Sequence, residues 1–179
     1  MWKKCHVIRF GVSKYRPVMQ YKLGDKVIPT TDKEKDLGVV IHSEGSPEDH
    51  INQITRKAYN LLTNMRIAFT HVDVDMVKKI ITTYIRPMLE YQSVIWNPNL
   101  QKDINKLERI QRAATRWPPE LRDLSCEERL KLLDLPSLEA RRTRGDLITI
   151  YKCLNRMIEI DKKDFIQFSK KIARKQNSR

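Results

Sequence analysis

A chain of 179 residues, 40% of them hydrophobic, suits one domain with a modest core, and five glycines with eight prolines exclude a collagen-like or low-complexity protein. The formal net charge of +13, from 35 Lys+Arg against 22 Asp+Glu, favours a polyanionic partner, of which nucleic acid is the commonest. Three scattered cysteines (Cys5, Cys126, Cys153) exclude a disulfide framework and suit a reducing intracellular compartment, nuclear or cytoplasmic; no apolar run nears the ~20 residues that a membrane span needs.

The pattern along the chain predicts an α+β protein that is mainly α. Residues 5–10 read as a strand stopped by Gly11. Residues 18–23 alternate roughly and run into Gly24-Asp25, a hairpin signal, with Val27-Ile28 beyond it. Residues 37–42 read as a further strand, β-branched at its centre. The first 45 residues are therefore expected to form a small antiparallel sheet or hairpin.

From Ser46 the period changes. Ser46 suits an N-cap, Pro47 the first helical position, and Glu48-Asp49 the positive end of a helix dipole. Ile51, Ile54, Ala58, Leu61, Leu62, Met65 and Phe69 follow at helical spacing. A second helix is expected from Asp73 or Asp75, kinked or ended at Pro87. A third is expected over 101–116, closed by Trp117-Pro118-Pro119. A short one follows over 125–133, with Ser125 and Glu128 as a capping box, and the last long helix over 137–156. The expectation is a bundle of about five helices.

The charge is uneven. Residues 1–46 carry net +4, 47–99 net +1, 100–160 net +3 and 161–179 net +5. On the third helix Ile104, Leu107, Ile110 and Ala114 share one stripe, and Lys102, Lys106, Arg109, Arg112 and Arg116 share the other side within about 120° of arc. Five cations so spaced suit the phosphates of a nucleic-acid backbone. A solvated face is the competing reading, and Asp103 and Glu108 flank the stripe as neutralising partners. Arg9, Lys14 and Arg16 are further phosphate candidates, with Tyr15 and Tyr21 beside them for stacking. On the last helix Arg144 falls with Leu147, Tyr151 and Leu154, so it is expected to be a paired structural anchor, with Asp146 among its candidate partners. The His and Cys spacing suggests no metal site. No phosphate loop or catalytic constellation is present in the sequence.

Several blocks carry a family resemblance. Lys4-Cys5-His6-Val7-Ile8-Arg9-Phe10-Gly11, then Tyr21 and Leu23-Gly24, then Lys35-Asp36-Leu37-Gly38-Val39 resemble the segment after the catalytic core in non-LTR (LINE, jockey-like) retrotransposon reverse transcriptases. Arg86-Pro87-Met88-Leu89-Glu90-Tyr91 followed by Trp96, the block from Leu107 to Thr115, and the block from Leu135 to Leu147 are similar to later parts of the same family, in the same order. The resemblance implies a palm-edge, primer-grip-like β segment at 1–45, a helical thumb and connection at 46–160, and a basic tail at 161–179 expected to be flexible. It gives Lys4 the place of a polymerase-motif lysine, and Pro87, Tyr91 and Trp96 structural places. The family's catalytic Asp-Asp block would lie upstream, so the resemblance implies a piece of an RNA-directed DNA polymerase that is inactive alone. It implies no cofactor here, because Mg²⁺ would belong to the missing palm. The implied partners are an RNA/DNA template–primer duplex and the rest of the reverse transcriptase. The competing reading is an inert helical protein-interaction module or a non-functional retroelement remnant. Bare apolar surface on the face of residues 5–42 favours the first reading.

Overall fold

The computed structural model describes residues 5–11 and 19–159; Lys4, Lys14, Tyr15, Arg16 and the tail at 161–179 lie outside the described residues. The architecture is α+β and mainly α, with two small hairpins followed by helices.

β1 (Lys22–Leu23) pairs antiparallel with β2 (Lys26–Val27) across Gly24-Asp25, where Gly24 has φ +60°. β3 (Lys33–Asp36) pairs antiparallel with β4 (Val39–His42), and the Asp36–Val39 register makes Leu37-Gly38 the two-residue turn. Both turn residues have positive φ (44° and 93°), as a type I′ turn requires. The expected strand at 37–42 therefore loses its first two residues to the turn. Its partner β3, Lys-Glu-Lys-Asp, went unpredicted because it has no apolar alternation and is a strand only through its pairing. Residues 5–10 form no strand; Val7 makes a single parallel bridge to Thr30. The hairpins are separate two-stranded units rather than one sheet.

α1 (Glu48–Ala68) buries Ile51, Ile54, Ala58 and Leu62, as its period predicts. Pro47, not Ser46, occupies the cap position, and the Ser46 hydroxyl accepts only a long bond from Glu48 N–H at 3.4 Å. α2 (Val74–Ile80) is capped by Asp73, whose carboxylate accepts Met76 N–H at 2.7 Å. It widens into a π-helical turn, Ile81–Ile85, and continues as α3 (Arg86–Glu90). Pro87 therefore does not end the rod. A proline inside a helix lacks the N–H and crowds the preceding turn; here the wider turn lies just before it.

α4 (Ser93–Trp96) is short. α5 (Gln101–Thr115) is followed by a 3₁₀ turn, Pro119–Leu121. α6 (Cys126–Leu132) has the expected capping box between Ser125 and Glu128, and this bond holds the Glu128 carboxyl below its ordinary pKa. α7 (Leu138–Leu154) is capped by Ser137, whose hydroxyl accepts Ala140 N–H.

The core lies where α1, the α2–α3 rod, α5 and the start of α7 meet. Ile51, Ile81, Leu89, Leu107 and Leu138 are its large fully enclosed members. Each contributes about 1.5–3 kcal/mol by leaving water. Among the described residues no helix is long and apolar enough to cross a membrane.

Tyr91 joins the β region to this bundle, and Trp96 braces Tyr91 against α1. The Tyr91 hydroxyl donates to Leu37 O at 3.2 Å. Trp96 is buried, donates from Nε1 to Tyr91 O at 2.8 Å, and meets the His50 ring at 5.1 Å between centroids.

Candidate nucleic-acid interface

α5 turns Ile104, Leu107, Ile110 and Ala114 into the core, which sends its basic residues outward. The structure splits the five-cation stripe in two. At its N-terminal end Lys102 pairs with Glu48 at 3.0 Å. Lys106 pairs with Glu48 at 3.3 Å and with buried Asp103 at 3.1 Å, and also donates to Asn52 at 2.9 Å. The bonds from Lys102 and Lys106 hold the Glu48 carboxyl below its ordinary pKa. Burial pushes the Lys106 ammonium down, but the bonds to Asp103 and Glu48 outweigh it and its pKa is raised. The α1 carboxylate thus neutralises much of this half.

The other half, Arg109, Arg112 and Arg116, is exposed and makes no ion pair with the described residues. It lines a groove of three cavities that share residues along α5, two of which also take residues from α1. The first, about 470 Å³, is lined by Arg56, Tyr59, Lys106 and Arg109 among others. The second, about 360 Å³, shares Arg109 and adds Arg112, Ala113, Arg116 and Arg129. The third, about 590 Å³, shares Ala113 and Arg116 and adds Arg66, Trp117 and Arg122. Eight Lys and Arg residues line the three cavities, and no Asp or Glu does. Beyond Lys106, whose charge Glu48 and Asp103 offset, the groove holds a positive field over about 10 Å, from Arg109 to Arg116.

Three of these arginines donate to backbone carbonyls. Arg66 donates to Ala113 O at 2.6 Å, and its guanidinium lies 5.8 Å from the centre of the Trp117 ring. Arg116 donates from Nε to Arg122 O at 3.3 Å. Arg129 is buried and bonds Thr115 and the Leu124 carbonyl, so it braces α6 against α5.

Arg56, Tyr59, Arg66 and Arg122 were missed by a helical wheel of α5 alone. The spacing Arg56, Tyr59, Thr63, Arg66 on α1 is the signal that finds most of them, because steps of three, four and three keep one face.

The remaining site residues fall elsewhere. Arg9 donates to Met19 O at 2.7 Å, a structural use. Arg144 is exposed, which corrects the expected anchor. The side of α7 that carries it faces outward, with Leu147 and Tyr151 each 62% exposed. Arg142 is the enclosed arginine: Nε donates to Asn97 at 3.1 Å, while Asn97 donates to Asp146 at 2.5 Å. Burial pulls the Arg142 pKa down, against the opposing pull of Glu108, Glu139, Glu90 and Asp146. Asp146 accepts from Asn97 rather than from Arg144.

Among the described residues no three His, Cys, Asp or Glu side chains converge as metal ligands. No protein-family model, curated protein or solved structure matches this chain.

Proposed function

We propose that this chain is a thumb-like piece related to non-LTR retrotransposon reverse transcriptases, and that it clasps an RNA/DNA template–primer duplex by its backbone in the α1–α5 groove. The groove itself carries the reading: Arg56, Arg66, Arg109, Arg112, Arg116 and Arg122 line its cavities, none of them in an ion pair among the described residues, and no acidic residue lines them. Such cations release counterions from a phosphate backbone when they bind it. The role is holding rather than catalysis.

A second feature supports a piece that works against a larger body. Phe10, Met19, Tyr21, Leu23, Val27 and Leu37 in the β region are each about half exposed or more. Such surface suits packing against a palm.

The test is fluorescence anisotropy of the full chain with a short RNA–DNA hybrid across a salt series. Affinity is expected to fall steeply with salt. Replacing Arg109, Arg112 and Arg116 together by Gln should reduce the log–log slope by about 2–3. Absence of binding at low salt, or a slope indifferent to these changes, refutes the proposal.

The alternative, a helical protein-interaction module, draws on α7, where Leu147, Ile150 and Tyr151 are exposed. It gains ground only if the hybrid fails to bind.

A further inference from the structure

The third cavity differs from the other two because it contains an indole. Trp117 follows α5 directly, and its backbone N–H donates to Ala114 O at 3.2 Å. It packs partly on the core and is half-buried, so its ring is anchored. Trp117 and Arg122 line two cavities. On one side, about 590 Å³ is also lined by Arg66, Ala113 and Arg116. On the other, about 380 Å³ also includes Asp73 and Glu120. Both sizes fall in the range of small-ligand sites. Only the first side lacks a carboxylate that would repel a phosphate.

We infer that this cavity takes a single unpaired nucleotide at the end of the bound nucleic acid, its base stacked at Trp117 and Arg66 and its phosphate held by Arg116 and Arg122. The inference rests on the backbone-binding reading above and adds the ligand of one subsite. The Arg66 guanidinium is held by Ala113 O, so a planar cation and an aromatic ring are both in position before the base arrives. Such surfaces stack any base, because every base presents a π face. A base inside a duplex is already stacked on both sides, so the subsite selects an unpaired one. No side chain in the cavity is an acceptor, which makes the subsite tolerant of sequence.

The test uses the full chain and three probes: a blunt RNA–DNA hybrid, the same hybrid with a short single-stranded end, and that hybrid with an abasic end. The abasic end keeps the phosphates and removes the bases. The base-bearing end is expected to bind about tenfold more tightly than the abasic end. Trp117→Leu and Arg66→Lys should each bring that ratio toward one; the second keeps the charge and loses the plane. Because Trp117 touches the core, a fluorine NMR measurement on 5-fluorotryptophan-labelled wild-type chain runs beside it. The Trp117 resonance, assigned with Trp117→Phe, should shift with the base-bearing end and not with the abasic one. Equal affinity for the two ends together with an unmoved Trp117 resonance overturns the subsite while leaving backbone binding intact. Failure to bind the blunt hybrid as well overturns both.

Discussion

Arg86 donates from Nη2 to the carbonyl of Pro136 at 2.6 Å, across fifty positions of chain. Its Nε donates to Gln111 Oε1 at 3.1 Å, and Gln111 Nε2 returns to the same Pro136 carbonyl at 3.1 Å. The three later blocks that carry the family resemblance meet at this triangle, one residue from each. Those blocks describe how the bundle is pinned. The basic groove shares only the Leu107–Thr115 block with them, through Arg109, Arg112 and Ala113, and otherwise draws mainly on α1 and on the residues after α5.

Arg86 is 5% exposed, and burial, followed by the nearby Arg141 charge, lowers its pKa. Arg86→Ala leaves Gln111 Oε1 without its donor and removes a donor from Pro136 O, so it should cost about 2–4 kcal/mol in urea unfolding. Arg86→Lys should recover less than half, because one ammonium cannot reproduce the planar fork. A midpoint unchanged in Arg86→Ala contradicts the hub.

The split of the basic stripe is separately measurable. Removing the paired set as a unit, Glu48→Gln with Lys102→Gln and Lys106→Gln, should change the salt slope for the RNA–DNA hybrid by less than about 1. The arginine triple variant should change it two to three times as much. Equal effects would mean that Glu48 does not neutralise its partners in solution.

His50 supplies a pH dependence. It is 2% exposed, and its Nδ1 accepts Val40 N–H at 3.2 Å, which requires the neutral ring. Burial, then the charges of Lys57 and Lys35, lowers its pKa below the ordinary 6.5. The unfolded chain therefore takes up a proton on His50 before the folded one does. The stabilisation is complete above about pH 6.5 and drains as pH falls through the lowered folded value. The melting temperature should drop between about pH 7 and pH 5, and His50→Gln should flatten that drop. A His50→Gln profile parallel to wild type would rule out this residue as the source.

Leu37 is a non-glycine residue at φ +44°, and it is 81% exposed. Leu37→Asn gives the turn an Asn-Gly pair and should stabilise the chain by about 0.5–1 kcal/mol, because a side chain this exposed gives up little burial when it is replaced. The Tyr91 hydroxyl bonds the backbone carbonyl of this residue, so that link persists. A destabilised variant would mean that the Leu37 side chain packs against a neighbour in solution.

Helix periods were legible because α1 and α5 each bury one apolar stripe. α1, α5, α6 and α7 lie close to their expected bounds, and the Ser125–Glu128 cap forms as its spacing indicated. The β region was less legible. β3 is all charged and exists through its ladder to β4, while residues 5–10 have strand composition and pair at one bridge. On α7 the wheel identified an apolar side correctly as a pattern. The bundle packs against the other side, so Arg142 is enclosed and Arg144 is exposed.

The sequence by itself determined the mainly helical class, the Gly24-Asp25 hairpin, the order of a β region before the helices, and the basic side of α5, because all of these follow from local period, turn chemistry and charge. Only the tertiary structure decided which cations remain without a carboxylate. Glu48 lies 54 positions before Lys102, and packing of α1 on α5 brings the two to 3.0 Å. The same packing sets Arg56 and Arg66 beside Arg109 and Arg116, so the groove is a property of two helices together.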